Sequence, residues 1–213
     1  MLVRHGTAVD LSAHLARLRD SLRELYGQEL PDGLERHVAD AASPHALARL
    51  RMLALPGQAA VEVEVHPIGS LDLEPVLLAP AVLPGGLGAH KWRDRRLLDE
   101  LARRLGAVPL LIDLDGHVLE AAHANIWIAE GDELVTPPLD GRLLPGTVRA
   151  RLLEDPPAGR SAREEPITLD RLTTAQELLL TSSVRGLHPA TLAPGSGSRL
   201  ESAHRTHGAP AFR

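Results

Sequence analysis

From Ala89 to Gly146 the chain spells a helix, an apolar strand, an Asp-Gly turn, a further strand and a glycine-led helix start. That alternation of 3.6-residue and strand patterns confines the fold to a mixed α/β (α+β) class. The segment WRDRRLLDELARRLG has helical spacing and stops at Gly106, the residue type that ends helices most easily. VPLLIDLDGHVL follows as a buried strand with a turn at Asp115-Gly116, and NIWIAEGDELVTP and QELLLTS supply further strands. The glycine-rich VLPGGLG ahead of this stretch interrupts the pattern. It marks a domain boundary, with a small N-terminal α/β domain over 1–83 and a larger domain over 84–213.

The first half is built of short elements. Leu2 to Arg4 and Ala8 to Val9, about His5-Gly6, suggest the end of a hairpin. Asp10 stands as an N-cap before LSAHLARLRDSLREL, whose Leu11, Leu15, Leu18, Leu22 and Leu25 share one face, and Gly27 closes that helix. The pattern predicts a second helix over 31–42 and a third over SPHALARLRMLAL, capped by Ser43 with Pro44 at its first position. AVEVEVHPI alternates as a half-solvated strand does, and LEPVLLAP is another strand. Later come helices over 147–153 and near 168–172, an exposed loop at DPPAGRSAREEP, and a polar, mobile tail from about 194.

Composition removes several function classes. A formal net charge of -5, with no basic block, argues against an electrostatic grip on nucleic acid. Aromatics make up only 2% of the chain, so Leu, Val and Ala must build the core. With no cysteine there are no disulfides, thiol nucleophiles or thiolate metal sites. No signal peptide and no apolar run of membrane-spanning length is visible, which makes a cytoplasmic protein without membrane contact the default. The 11 histidines show no zinc-type pairing, so no metal site is expected, and neither a Gly-x-Ser-x-Gly turn nor a Walker loop occurs.

Three features of the central stretch carry chemistry. Lys91 is the only lysine, every other strong cation being arginine, whose guanidinium cannot act as an amine nucleophile. Glu120 follows the buried strand and turn, with Asn125 five residues on, either an ordering group beside it or a plain strand-end amide. Gly146 opens a helix, so the N–H groups of Thr147 and Val148 would meet an anion. An amine, a carboxylate and an anion cradle are the demands of pyridoxal phosphate: a Schiff base, a partner for the pyridine nitrogen and a phosphate pocket. Taken singly, each has a plainer reading, as a solvated lysine, an exposed glutamate beside a turn and an ordinary loop-to-helix junction.

Taken in order, the motifs resemble the fold-type IV pyridoxal-phosphate enzymes, the class IV aminotransferases. Lys91, Glu120 with Ala124-Asn125, Thr136-Pro137-Pro138, Leu144-Pro145-Gly146-Thr147-Val148-Arg149 and AQELLLTSSVRGLHP match that family's sequence of motifs, and HLARL resembles its early His-x-x-Arg-Leu helix. The resemblance implies a two-domain fold-type IV architecture with a shortened N-terminal domain. It makes Lys91 the Schiff-base lysine and proton shuttle and sets Glu120 against the pyridine nitrogen, near Asn125. The phosphate would fall to Arg17, Gly146, Thr147, Val148 and Ser183. Within the family, VRHGTAVDLSA before HLARL and Asp94-Arg95 after the lysine are most similar to 4-amino-4-deoxychorismate lyase, which releases pyruvate and 4-aminobenzoate in the folate pathway. A branched-chain or D-amino-acid aminotransferase is the alternative, and a weakly active cofactor-binding module serving an aminodeoxychorismate synthase is a third. The resemblance also implies a homodimer acting on a small-molecule substrate, an amino acid or aminodeoxychorismate. The residues that would bind the substrate carboxylate stay unassigned.

Overall fold

The computed structural model describes residues 1–194 apart from positions 56, 58, 59 and 73, so the tail expected from about 194 lies outside the described residues. The chain forms two compact units. One comprises Met1–Leu73, Gly146–Val148 and Ser182–Gly186, and the other Glu74–Pro145, Arg149–Thr181 and the described residues from Leu187.

The first unit begins with β1 (Leu2–Arg4) and β2 (Thr7–Ala8), joined at His5-Gly6. Both turn residues have positive φ, 50° and 74°, which a two-residue hairpin of right-handed twist requires. Helix α1 (Leu11–Tyr26) starts after Asp10, which sits at the cap position in a left-handed conformation without a side-chain capping bond. At its other end Gly27 is left-handed, and the N–H of Gln28 returns to the Leu22 carbonyl at 3.2 Å. Helix α2 (Leu34–Ala42) ends at Ser43.

Here the structure departs from expectation. SPHALARLRMLAL is not a third helix, because β3 (Leu47–Ala54) runs through it, between β1 and β4 (Val61–Pro67), in a sheet of order β2-β1-β3-β4. Its Leu, Ala, Arg and Met favour helices, but Ala48 and Leu50 are buried while Arg49 and Arg51 are exposed, a period of two that cross-strand pairing exploits. Leu15, Leu34, Val38 and Ala42 from the helices pack on Val3, Ala48, Leu50 and Val61 from the strands.

The second unit holds a nine-stranded mixed sheet. Its members are β5 (Val76–Val82), β6 (Val108–Ile112), β7 (His117–Ala121), β8 (Asn125–Glu130), β9 (Glu133–Thr136), β10 (Ser161–Glu164), β11 (Ile167–Thr168), β12 (Glu177–Ser182) and β13 (Gly186–Leu192). The order is β10-β9-β8-β12-β13-β5-β6-β7-β11. NIWIAEGDELVTP folds back at Gly131 into the β8–β9 hairpin, and the expected loop at DPPAGRSAREEP contains β10, which pairs in parallel with β9. Two parallel pairs, β5 with β6 and β9 with β10, are each bridged by a helix: α3 (Arg96–Leu105) and α4 (Thr147–Glu154). A short helix, α5 (Leu169–Thr174), is capped by Thr168, whose side chain accepts the Arg171 N–H. No helix among the described residues is long and apolar enough to cross a membrane.

Trp127 on β8 is wholly buried against Ala129, Leu134, Leu152 and Leu179, and its indole N–H donates to Thr181 Oγ1 at 3.0 Å. Trp127→Ala is expected to cost about 3–5 kcal/mol by leaving a cavity, and Thr181→Val about 1 kcal/mol by orphaning the indole donor. Urea unfolding of the two variants checks the ranking.

Candidate active site

Because β5 and β6 run parallel, the chain must leave the C-terminal end of β5 and return by a crossover. Lys91 lies in that outgoing connection, exposed, between Gly88 and α3. The helix expected from Trp92 begins instead at Arg96: the Asp94 carboxylate accepts the Arg96 backbone N–H at 3.0 Å and its guanidinium, an Asx turn that holds residues 92–95 out of the helix.

Glu120 is buried, 4% exposed, not beside a solvated turn. Pairing of β6 with β7 steps from Leu111↔Glu120 to Ile112↔Val118, leaving Leu119 as an extra bulged residue. A bulge re-aims the side chains around it, and this one stands next to the carboxylate. After Ala121 the chain turns over Ala122-His123, closed by reciprocal backbone bonds between Ala121 and Ala124, and enters β8 at Asn125. The Asn125 amide donates to Glu120 Oε2 at 3.5 Å and to the Leu144 carbonyl at 2.8 Å, while the Leu144 N–H reaches Glu120 Oε2 at 3.3 Å. Thus Asn125 is a bridging donor tying Glu120 to the segment before α4.

Arg95 makes a further link. Its guanidinium donates to the Ala122 carbonyl and to His123 Nδ1, the latter at 2.7 Å. Since a guanidinium only donates, Nδ1 is the acceptor and the proton of the neutral ring sits on Nε2. Desolvation within the surrounding protein, then the cations of Arg95 and Lys91, hold His123 below the ordinary histidine range even though part of the ring meets solvent. Burial lowers the Arg95 pKa, against the charges of Glu120 and Asp99.

In the first unit a second group gathers. His14 is buried on α1, its Nε2 lying 3.5 Å from Thr147 Oγ1 at the start of α4, and Arg17 follows on the next turn of the same face. Gly146 and Thr147 are half-buried and Val148 is buried. Ser183 occupies the turn between β12 and β13, where its carbonyl accepts the Leu2 N–H at 3.1 Å and Ser182 Oγ accepts the Arg185 N–H at 3.2 Å. The expected site residues therefore form two sets. Lys91, Glu120 and Asn125 belong to the second unit, and Arg17, Gly146, Thr147, Val148 and Ser183 to the first.

Sequence reasoning passed over His14, Arg95 and Leu144 as individual contributors. His14 was visible as the first residue of HLARL, whereas the backbone of Leu144 carries no signature at all.

Asp113, Asp115 and His117 present ligand atoms within 4.8 Å of one another. Arg142 meets Asp113 Oδ2 at 2.7 Å, while Oδ1 accepts the N–H groups of Asp115 at 3.0 Å and His117 at 2.8 Å. Burial pushes Asp113 upward, but these donors outweigh it and hold the carboxyl below the usual range. The folded form thus binds its proton less tightly than the unfolded chain. Its stabilisation is complete above the ordinary aspartate pKa of about 3.9 and is lost as pH falls through the lower folded value. Asp113→Asn should cost about 1–3 kcal/mol at pH 7, with the deficit shrinking below about pH 4, as melting temperature against pH will record.

A family model, amino-transferase class IV, matches residues 1–193. A candidate aminodeoxychorismate lyase of Schizosaccharomyces pombe is 28% identical over 191 residues, covering 82% of this chain and 80% of the relative. Among solved structures, a candidate amino-acid aminotransferase from Mesorhizobium loti superposes with a TM-score of 0.74 at 30% identity, covering 91% of this chain and 97% of that one. A hypothetical aminotransferase from Mycobacterium tuberculosis, in its pyridoxal-phosphate-bound form, gives 0.75 at 25% identity, covering 92% and 80%. The fold is that of the fold-type IV enzymes, and on the match along nearly its whole described length the chain belongs to the class IV aminotransferase family.

Proposed function

We propose that this chain is a pyridoxal-phosphate-dependent lyase that converts 4-amino-4-deoxychorismate to pyruvate and 4-aminobenzoate. The observation that carries the cofactor reading is the buried Glu120 carboxylate, with Asn125 and the Leu144 N–H both directed at one of its oxygens, in the same unit as the sole lysine. Taken by itself, each unit's donors suit part of the cofactor: in the second, one primary amine and one buried carboxylate; in the first, a helix start accompanied by Arg17, Thr147 and Ser183, of a kind that suits a phosphate.

Pyridoxal phosphate, when bound, supplies an electron sink for the pair left on the substrate carbon. Lys91 Nζ would hold the cofactor at rest and, when free, would take the proton from the amine-bearing carbon of the substrate. Glu120 would face the pyridine nitrogen and keep a proton there, while Asn125 and Leu144 orient its carboxylate. Arg17 and Ser183, with the Gly146, Thr147 and Val148 backbone at the start of α4, would hold the phosphate. Loss of pyruvate leaves an aromatic ring, so the elimination is driven forward. The likeness to the S. pombe protein over 82% of this chain and the Asp94-Arg95 pair behind the lysine support the lyase reading.

An amino-acid aminotransferase is the second reading, favoured by the M. loti and M. tuberculosis structures. It would use Lys91 and Glu120 in the same way. From family resemblance we take the working assembly to be a homodimer, with an aminodeoxychorismate synthase as upstream partner.

Borohydride treatment of the protein with pyridoxal phosphate should fix the cofactor on Lys91, found by mass mapping, and Lys91→Ala should show no adduct. A lysine-type adduct persisting in that variant would refute the site. The loaded protein given aminodeoxychorismate should release pyruvate and 4-aminobenzoate in equal amounts, and Glu120→Gln should slow this about 100-fold. Turnover that needs a 2-oxo acid would establish the aminotransferase instead, and binding without any turnover the partner module.

A further inference from the structure

The two crossover loops of the second unit are joined at a single carbonyl. The N–H groups of Leu87 and Gly88 both donate to the Arg142 carbonyl, at 3.1 and 3.2 Å. Gly86, with φ +61°, lies so close that a Cβ there would stand 2.0 Å from that oxygen and 3.0 Å from its carbon. Only glycine permits the approach, by its conformation and by its lack of a side chain. Its neighbour Gly85 has no such restriction: a Cβ there meets nothing within 4 Å.

The Arg142 end of this contact is itself fixed. Its backbone N–H meets Asp140 Oδ1 at 3.0 Å, its Nε meets Asp140 Oδ2 at 2.7 Å, and its Nη1 meets the buried Asp113 at 2.7 Å. Two residues further along, Leu144 gives its N–H to Glu120 and its carbonyl to Asn125. On the other side, three residues after Gly88, comes Lys91, with the Trp92 indole returning to the Leu87 carbonyl at 3.3 Å. One short segment, residues 140–144, thus grips the approach to the lysine at one point and the carboxylate at another.

We propose that Gly86 and Arg142 are positioning residues that set the Lys91 amine relative to Glu120. The claim rests on the reading of Lys91 and Glu120 given above. Arg142 acts through its carbonyl, and its guanidinium keeps that carbonyl in place by anchoring to Asp113 and Asp140. Neither residue touches the reacting atoms. Displacing a reacting group by about 1 Å costs on the order of 100-fold in rate, so the tie should register in turnover more than in substrate affinity.

The test compares wild type with Gly86→Ala, Gly85→Ala and Arg142→Gln, first without cofactor. Lys91 being the only lysine, its titration can be followed from the pH dependence of its acylation by acetic anhydride, with the modified site located by mass mapping. Amide exchange at Leu87 and Gly88 reports the tie itself. In Gly86→Ala, exchange at both amides should quicken at least ~10-fold, and the midpoint of Lys91 reactivity should move. Arg142→Gln should move both in the same direction by less, and it covers the case in which Gly86→Ala fails to fold. Gly85→Ala should match wild type.

With cofactor and substrate, Gly86→Ala should lower kcat about 100-fold while KM stays near wild type. A folded Gly86→Ala whose Lys91 midpoint and kcat equal those of Gly85→Ala overturns the proposal, as does a fall in melting temperature with no change in either. If wild type fixes no cofactor on Lys91, the functional reading fails, while amide exchange and amine titration still decide whether the tie governs the lysine.

Discussion

A parallel pair of strands cannot be closed by a tight turn, and that constraint shapes everything chemical in the second unit. Strands β5 and β6, and again β9 and β10, lie parallel, so the chain must leave each first strand, pass through a helix and come back. The outgoing loops are where backbone is freed from the ladder. One carries Lys91, and the other carries Arg142, Leu144 and the start of α4. Between them in sequence β7, paired antiparallel with β6, passes through a two-residue turn into β8, which leaves Glu120 and Asn125 on either side of that turn. Local pairing rules thus concentrate an amine, a carboxylate and an amide in one unit.

Burial then divides the roles of the charges. Glu120 and Asp113 are nearly inaccessible, and both are held by donors from backbone as well as side chains. Carboxylates so placed are fixed in direction, since rotating either would strand several N–H groups. The cations are less confined: Arg142 and Arg171 reach from part-exposed positions to their acids. Arg149 is the exception, 2% exposed, meeting the Pro137 carbonyl and Glu164 while its Nε finds no partner. It lies in the first turn of α4.

Much of this was legible in the chain. The ends of α1 and α3 followed from Gly27 and Gly106, both left-handed as helix-ending glycines commonly are. The hairpin at His5-Gly6, a helix near 168–172 and the helix opening at Thr147 likewise follow from local chemistry. What local chemistry could not supply was pairing. Residues 47–54 carry helix-forming side chains and become a central strand because β1 and β4 claim them on both sides. The charged segment SARE becomes β10 because β9 offers an edge. In the site, side chains announced themselves by type, as with the single lysine, but the groups that aim them are mostly backbone: the Leu144 N–H, the Ala122 carbonyl and the Arg142 carbonyl. Backbone atoms are common to every residue, so no motif encodes them.

The ends of the large sheet bear on how such a protein survives at high concentration. An open sheet offers its outer strands to any passing chain, and a long apolar rim would invite end-to-end growth. Here the described rims are β11, two residues long, and β10, where Arg163 makes ion pairs with Glu133 and Glu165. A stranger strand docking at β10 would have to desolvate that charge cluster, and at β11 it would find room for hardly one pair of backbone bonds. The sheet is therefore large enough to carry the site yet finished at both margins, which favours a chain that stays dispersed while it folds.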